Sequence, residues 1–266
     1  MASVDEGMRT PIHLIALVCL AALLGCSSVG EAAGNDAPRP ILLELFTSQG
    51  CSSCPAADAL LPQWKREYGD QVVVLAFHVD YWNELGWPDP FSRPEWTARQ
   101  QDYARAGWAR RVYTPQMVVD GRDHVVGSQR GRVVRAIAAA QQKATRTVEL
   151  TGAAHREGQY LMLEAKMDGL PDATASATVY AAVRDGAHTT RVPRGENAGR
   201  VLEDAYVVRA LHRFAPQSGA QPRRARIRVE PDWRADALDV VFFARDPQAG
   251  EIIGVTAPIS VPIATE

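Results

Sequence analysis

Cysteine is scarce in this chain, and its scarcity narrows the possibilities more than any abundance does. Of 266 residues only Cys19, Cys26, Cys51 and Cys54 carry thiols. A structural zinc site would need further ligands, and no second cysteine pair exists to supply them. The one long apolar run, Ile12 to Leu24, spans 13 residues with an interruption at His13, too short to cross a bilayer as a helix. Neither sign of charge dominates. A formal net charge of −2, with arginine outnumbering lysine but spread along the chain, gives no reason to expect nucleic acid or an anionic membrane surface as partner. Internal repeats and low-complexity tracts are also lacking. What is present, 46% hydrophobic and 23% charged residues, suits a soluble globular protein of one large domain or two ordinary ones.

The beginning of the chain reads as an address. Ile12 to Leu24 has the length of the apolar region of a secretory signal. Asp5 and Glu6 outweigh Arg9 ahead of it, whereas a start at Met8 would give a basic end. Leu23-Leu24-Gly25-Cys26-Ser27 resembles a bacterial lipobox, whose cysteine is lipidated and becomes the first residue of the mature protein. The alternative is an ordinary signal cut further on, near Ala33. On the lipoprotein reading residues 1–25 are the signal and residues 26–37, rich in small residues, are a tether. Ser27 in place of aspartate resembles signals that favour outer-membrane retention. The expected location is therefore the periplasm, with attachment to the outer membrane through lipid alone. Cys51 and Cys54 would then remain as thiols in an oxidising compartment, where disulfides persist.

Those two cysteines form Gly50-Cys51-Ser52-Ser53-Cys54-Pro55, between an apolar run (Ile41 to Phe46) and a helical stretch (Ala56 to Trp64). A helix N-terminus carries unpaired N–H groups and partial positive charge, which favour a thiolate. The thiolate is the attacking species in disulfide exchange, and a second cysteine two residues away can resolve the mixed disulfide. Cys51 is the expected nucleophile and Cys54 the resolving thiol; the alternative is a permanent structural disulfide, although so small a loop constrains little unfolded-chain entropy.

The helix should run from Cys54 to Tyr68, kinked or split at Pro62. Val72 to Phe77 is a second continuous apolar strand, suited to a parallel sheet covered on both faces. Four of the six tryptophans lie between residues 82 and 108, in and after an unusual aromatic stretch. Ser92 and Glu95 have capping-box spacing for a helix from Pro94 to Ala109. Gln116 to Asp120 and Asp123 to Val126 read as a hairpin turned at Asp120-Gly121. Ser128 is placed to cap a last helix, Gln129 to Ala144. Beyond Thr145 seven alternating strands are expected: 147–151, 160–167, 179–183, 205–211, 226–229, 238–244 and 252–258. They suggest an antiparallel β-sandwich over residues 146–266. The polar stretch Arg184 to Arg200 reads as a long solvated loop, or as a wall of the active-site groove if the two halves share one core.

The order strand, C-x-x-C helix, strand, helix, Thr114-Pro115, hairpin and helix resembles thioredoxin. More closely, Glu44 to Pro55, Ala76 to Trp82 and Tyr113 to Gly121 are similar to the DUF1223 family, secreted bacterial proteins with a thioredoxin-like fold and no established activity. The similarity extends to Arg194-Gly195-Glu196-Asn197 and Val207 to Leu211. It implies an α/β thioredoxin-like domain over residues 38–145, a mixed sheet flanked by helices, followed by the sandwich. It also implies a proline loop at Thr114-Pro115 opposite the cysteines, with Pro115 shaping the substrate strand, and a buried acid before the motif, Glu44, passing protons to Cys54. Against that role, Glu44 would turn to solvent at a strand edge. Ser52-Ser53 lacks the usual proline, and no tryptophan precedes Cys51, which leaves the redox potential open.

Other residues carry alternatives. Trp82 and Trp87, with Thr114, line a peptide groove or pack a loop. His78 and Asp80 share a side of an extended segment where ligands gather in α/β sheets. They bind copper or zinc together with Cys51 and Cys54, or are hydrogen-bonded structural groups. Met117 reads as core. The function expected is thiol–disulfide exchange with protein thiols or disulfides of the periplasm, needing no cofactor. The alternative is a non-catalytic binding module whose cysteine pair holds a metal (Cys51, Cys54, His78) or is a fixed disulfide. Independent folding of residues 38–145 is expected, because their hydrophobic pattern is complete in itself. If Cys26 is lipidated, Cys26→Ser moves the protein from the membrane fraction to the soluble periplasm. Fractionation checks this, and an unchanged distribution removes the lipid anchor.

Overall fold

Two strands with no polar face set the architecture. All seven residues of β1 (Ile41–Thr47) and of β2 (Val72–His78) are buried, so both faces of the sheet they form must be covered. They pair in parallel, Ile41 with Val72 through Thr47 with His78. The computed structural model describes residues 39–107, 111–144, 148–169, 177–215 and 221–261. Residues 1–38, with the expected signal, Cys26 and the tether, lie outside the described residues.

Between β1 and β2 the chain forms α1 (Pro55–Asp58) and α2 (Leu61–Tyr68). The split expected at Pro62 occurs just before it, because Pro62 has no N–H to offer the carbonyl of Asp58. Ala59 and Leu60 keep right-handed helical angles, and Trp64 N–H donates to Leu60 O, so the two pieces continue in one sense. α3 (Pro94–Arg105) ends four residues short of the expected Ala109, and the expected capping box does not form. Its N-cap is Arg93, without a side-chain cap, while the Ser92 hydroxyl donates to Asp89 O. β3 (Gln116–Val119) and β4 (Asp123–Val126) make the expected hairpin, with Asp120 at φ 55° and Gly121 at φ 80°. α4 (Arg130–Lys143) follows, with Gln129 rather than Ser128 as its N-cap.

The second half is richer in strands than expected: β5 (Glu149–Glu157), β6 (Tyr160–Asp168), β7 (Thr178–Asp185), β8 (His188–Arg191), β9 (Val201–Asp204), β10 (Val207–Arg213), β11 (Arg223–Arg228), β12 (Leu238–Arg245), β13 (Ile252–Val255) and β14 (Ile259–Val261). The stretch read as a solvated loop contains β8, which pairs with β9 as a two-stranded arm. Short strands of four residues separated by a nine-residue turn carry too little alternation to stand out.

The main sheet is mixed and runs through both halves in the order β13-β12-β7-β10-β2-β1-β3-β4, with β14 also on β12. β10 joins the free edge of β2 in parallel through Val207 and Ala76. A smaller sheet, β11-β6-β5, packs its Leu161, Leu163 and Met167 onto Val179, Ala181, Val240 and Phe242 of the large one. The second half thus packs sheet on sheet, but the larger layer is mixed and shared with the first half rather than forming a separate antiparallel sandwich over residues 146–266. On one face α1, α2 and α4 cover Ile41, Leu43, Leu45, Val72 and Val74. On the other, Leu42, Phe46, Val73, Leu75 and Phe77 join Trp96 and Tyr103 of α3 and also Ala182, Val208, Val241, Phe243 and Ile252. Buried guanidinium groups add polar ties between the halves: Arg39 holds Asp120 at 2.6–2.7 Å and Ile252 O, and Arg184 reaches Val74 O. Among the described residues no helix is long and apolar enough to cross a membrane.

A fragment ending near Thr145 would leave the α3 face of β1 and β2 without Val208, Val241 and Phe243. We expect such a fragment to lack a cooperative thermal transition by circular dichroism while residues 38–266 retain one. A fragment that melts cooperatively would show the first half to be self-sufficient.

Candidate active site around Cys51 and Cys54

β1 ends at Thr47, and the next residues turn sharply into α1. The Ser48 hydroxyl accepts from Gly50 N–H, and Cys51 N–H donates to Ser48 O. Cys54 is the N-cap of α1, and Cys51 and Cys54 form a disulfide with Cα atoms 5.5 Å apart. The split leaves a single helical turn behind the pair, which weakens the dipole at Cys54. Neither cysteine has any exposed surface, although Ser52 and Ser53 between them are exposed.

The Thr114–Pro115 peptide is cis. Gly127 fixes where this loop lies. A Cβ there would stand 2.7 Å from Leu45 Cδ1, 3.2 Å from Ala57 Cβ and 3.5 Å from Pro115 Cβ, so Pro115 flanks α1 three residues beyond Cys54. Trp82 joins the two loops. Its indole N–H donates to Thr114 Oγ1 at 2.8 Å, and its Cβ would be 3.0 Å from a side chain at Gly50. Trp87 donates to Gln49 Oε1 at 3.0 Å and lies against Gly195. Both tryptophans are half-buried, and each ties a neighbouring loop to the cysteine loop.

Glu44 is not placed for proton transfer, and it does not turn to solvent. It lies on the α3 face, away from α1, where Arg99 Nε donates to it at 2.7 Å and the Tyr103 hydroxyl donates as well. The Arg99 guanidinium sits 5.3–5.5 Å from the ring centres of Phe77, Tyr103, Tyr180 and Phe243, so Glu44 is the counter-charge of an aromatic-lined cation.

The acids near the pair are others. Asp58 lies one helical turn beyond Cys54, and i and i+4 share a helix face. Around it are His78, Asp89 and Asp204, all buried. His78 Nδ1 donates to Asp89 Oδ2 at 2.7 Å, and its Nε2 is 3.9 Å from Asp204 Oδ1. Gln49 Nε2 donates to Asp204 at 2.6 Å, and Gln49 N–H donates to Asp89 at 2.8 Å. Burial alone would lower the His78 pKa, but Asp89 and then Asp204 and Asp58 carry it up to about 9. Burial, with the charge of Asp204, pushes Asp58 up to about 8. Asp89 stays below the ordinary carboxyl range despite its burial, because His78 and the N–H groups of Gln49 and Phe91 stabilise its charge. A cavity of about 550 Å³ lined by Pro55, Asp58, Arg66, Arg200 and Asp204 opens beside α1.

His78 is thus a hydrogen-bonded group, and Asp80 is not its partner: Asp80 accepts from the Thr97 hydroxyl at 2.5 Å on α3. Met117 is fully buried in the core, as expected. Among the described residues no group of three or more His, Cys, Asp or Glu side chains is arranged to hold a metal ion, and Cys51 and Cys54 are bonded to each other. The sequence reading missed Asp58, whose spacing from Cys54 was a usable signal. It also missed Asp89 and Asp204, whose position depends on tertiary contacts.

Besides Asp204, two residues of the second half touch the cysteine loop directly. Asn197 Nδ2 donates to Gln49 O at 2.9 Å and to Cys51 O at 3.0 Å. Glu196 Oε2 accepts from Ser52 N–H at 2.9 Å, which holds its carboxyl below the ordinary range.

Fold and site define a mixed-sheet protein with a covered C-x-x-C disulfide beside a cis-proline loop. The chain belongs to DUF1223, a family described as proteins of unknown function, whose model matches residues 42–245. The crystal structure of protein AGR_C_4864 from Agrobacterium tumefaciens is similar at 27% identity and a TM-score of 0.62, covering 85% of this chain and 96% of that one. HBP35 of Porphyromonas gingivalis is similar in fold at 13% identity and a TM-score of 0.61, covering 86% of this chain and 78% of that one. No curated protein matches.

The titrations fix a pH dependence. His78, raised from 6.5 to about 9, contributes stability that is complete below pH 6.5 and lost as pH rises through 9. Asp58, raised from 3.8 to about 8, binds its proton more tightly when folded, so stability also falls as pH rises from 3.8 through 8. The melting temperature should therefore drop between pH 6.5 and 9, and Asp58→Asn should flatten the slope. Asp89→Asn, which strips a buried cation of its partner, should cost about 3–5 kcal/mol at neutral pH by urea denaturation. A melting temperature that rises over this range would overturn the assigned protonation.

Proposed function

We propose that this protein is a thiol–disulfide oxidoreductase of the bacterial cell envelope and that its first half is a thioredoxin-like domain. The observation that carries the reading is the Cys51–Cys54 disulfide at the head of α1, flanked by the cis Thr114–Pro115 loop. The strand order β4-β3-β1-β2, with α1, α2 and α4 on one face and α3 on the other, supports the domain assignment.

In the reduced state the Cys51 thiolate attacks one sulfur of a partner disulfide, and the other partner sulfur leaves as a thiol after taking a proton. Cys54 then loses its proton and attacks Cys51 Sγ. The mixed disulfide breaks, the partner's second sulfur leaves as a thiol, and the pair ends oxidised by two electrons. Asp58, as a carboxylate, is the base that takes the Cys54 proton: it lies one turn along the helix, titrates at about 8 and borders a cavity. The sealed Glu44 lies on the opposite face of β1 and does not line that cavity. Pro115 and Thr114 shape the strand on which substrate lies, with Trp82 and Trp87 as walls. The partners are protein thiols or disulfides met outside the cytoplasm. The lipobox-like Cys26 would supply the anchor, and the chemistry calls for no further cofactor.

The burial of both sulfurs favours a second reading, a binding module with a fixed disulfide. One experiment separates the two. Cys54→Ser should accumulate mixed disulfides with partners on non-reducing gels, because nothing remains to release them. Cys51→Ser should accumulate none. Equal trapping by both variants, or trapping by neither, would sink the exchange mechanism and leave the binding module.

A further inference from the structure

We propose that Asn197 and Glu196, at the tip of the β8–β9 arm, are specificity-determining residues of the cysteine site, which they reserve for polypeptide partners. The inference rests on the reading of Cys51–Cys54 as an exchanging pair. Exchange requires a thiolate to approach a disulfide sulfur along the S–S axis. With no surface exposed at either cysteine, that approach is closed in the present conformation.

The second half of the chain holds the backbone of the closed cysteine loop in place. Asn197, itself 1% exposed, places one amide nitrogen between Gln49 O and Cys51 O, at 2.9 and 3.0 Å. Glu196 holds Ser52 N–H at 2.9 Å, and a side chain at Gly195 would meet Trp87 Cβ at 3.1 Å. The tip is shaped by its own bonds: Val192 N–H to Arg200 O, Gly199 N–H to Val192 O, and the Arg200 guanidinium to Asn197 Oδ1 at 2.8 Å. The tip turn is seated by buried Val192, and the foot of the arm is fixed by Gln49 donating to Asp204. The named ties between tip and cysteine loop are therefore side-chain hydrogen bonds, which can break without unfolding the arm.

Lifting the tip takes a partner from Gln49 O, Cys51 O and Ser52 N–H; Cys51 O keeps Cys54 N–H at 3.2 Å, so Gln49 O and Ser52 N–H are the groups left open. An extended polypeptide carries N–H donors and C=O acceptors that can take over these bonds. Dithiothreitol carries neither an N–H nor a C=O, so it gains less to offset the lost contacts. This is the physical basis for selection.

The test uses the oxidised full chain. Dithiothreitol reduces it when one thiolate attacks Cys51 Sγ and Cys54 leaves and takes a proton. The reagent's second thiol then closes its ring and releases Cys51, so that two electrons pass to the pair. We expect Asn197→Ala to speed this reduction roughly tenfold, as loss of two ordinary hydrogen bonds implies. Glu196→Ala should speed it by a smaller factor, and Arg194→Ala, exposed on the same tip, should leave it unchanged. A synthetic cysteine-containing peptide should lose its advantage over dithiothreitol in Asn197→Ala. Should Asn197→Ala lose its native circular dichroism, the exposed Glu196→Ala decides. Wild-type rates in the folded tip variants overturn the proposal, as does an unchanged ratio of peptide to dithiothreitol rates. Faster reduction in the tip variants, with no partner trapped by Cys54→Ser, would retain the cover and remove the exchange role. Trapping by Cys54→Ser with no effect of the tip variants would do the reverse.

Discussion

The burial of one imidazole among three carboxyls governs how the loops of this protein meet. Isolated in a protein interior, each charged group would cost several kcal/mol, and the cost falls only when partners approach in good geometry. Here the partners come from different parts of the chain: His78 from the end of β2, Asp58 from α1, Asp89 from the aromatic insertion and Asp204 from β9. Gln49, two residues before Cys51, bonds two of the carboxylates at once. The cysteine loop, the insertion and the arm are thereby placed relative to one another by electrostatic need. Slack in any one would strand a charge.

The same coupling appears in the apolar packing. An unpaired β2 would present a long apolar edge, a template for aggregation. β10 covers part of that edge and brings β7, β12 and β13 into the same sheet. The α3 face then runs across both halves, with Phe243 stacked on Tyr180 and Phe46 stacked on Phe77 around the Arg99–Glu44 pair. A second half bound this way is part of the frame that carries the cysteine loop, and its arm reaches the loop directly.

What the sequence made legible follows from range. β1, β2, the split at Pro62 and the Asp120-Gly121 turn are written in local patterns: continuous apolar runs, a missing N–H and residues that accept positive φ. Cys51, Cys54 and Pro115 were equally local. Glu44 could not be judged so, because whether it faced α1 or α3 depended on which elements covered each face of β1. The capping spacing at Ser92 and Glu95 failed for a related reason: Asp89 O and Asn83 compete for the Ser92 hydroxyl, and both are set by the fold of the insertion. The arm was illegible because its strands are short and its charged residues resemble those of any solvated loop. Their partners lie about 145 residues away, at Gln49, Cys51 and Ser52.

The polar centre is hard to explain as a device for stability. Replacing a buried ion network by apolar side chains of similar volume is often neutral or stabilising. Asp58 is the costliest member to account for: its carboxyl is buried and also sits near Asp204, and its raised pKa records both disadvantages, burial first. Hydrophobic residues between α1 and β9 would hold these elements together at lower cost. They would leave the cysteine pair without a nearby group able to exchange a proton near neutral pH, and the arm without fixed directional contacts to the cysteine loop. On the proposed exchange reading, a polar centre that weakens the fold while placing an acid and an arm beside a disulfide serves the chemistry of that disulfide.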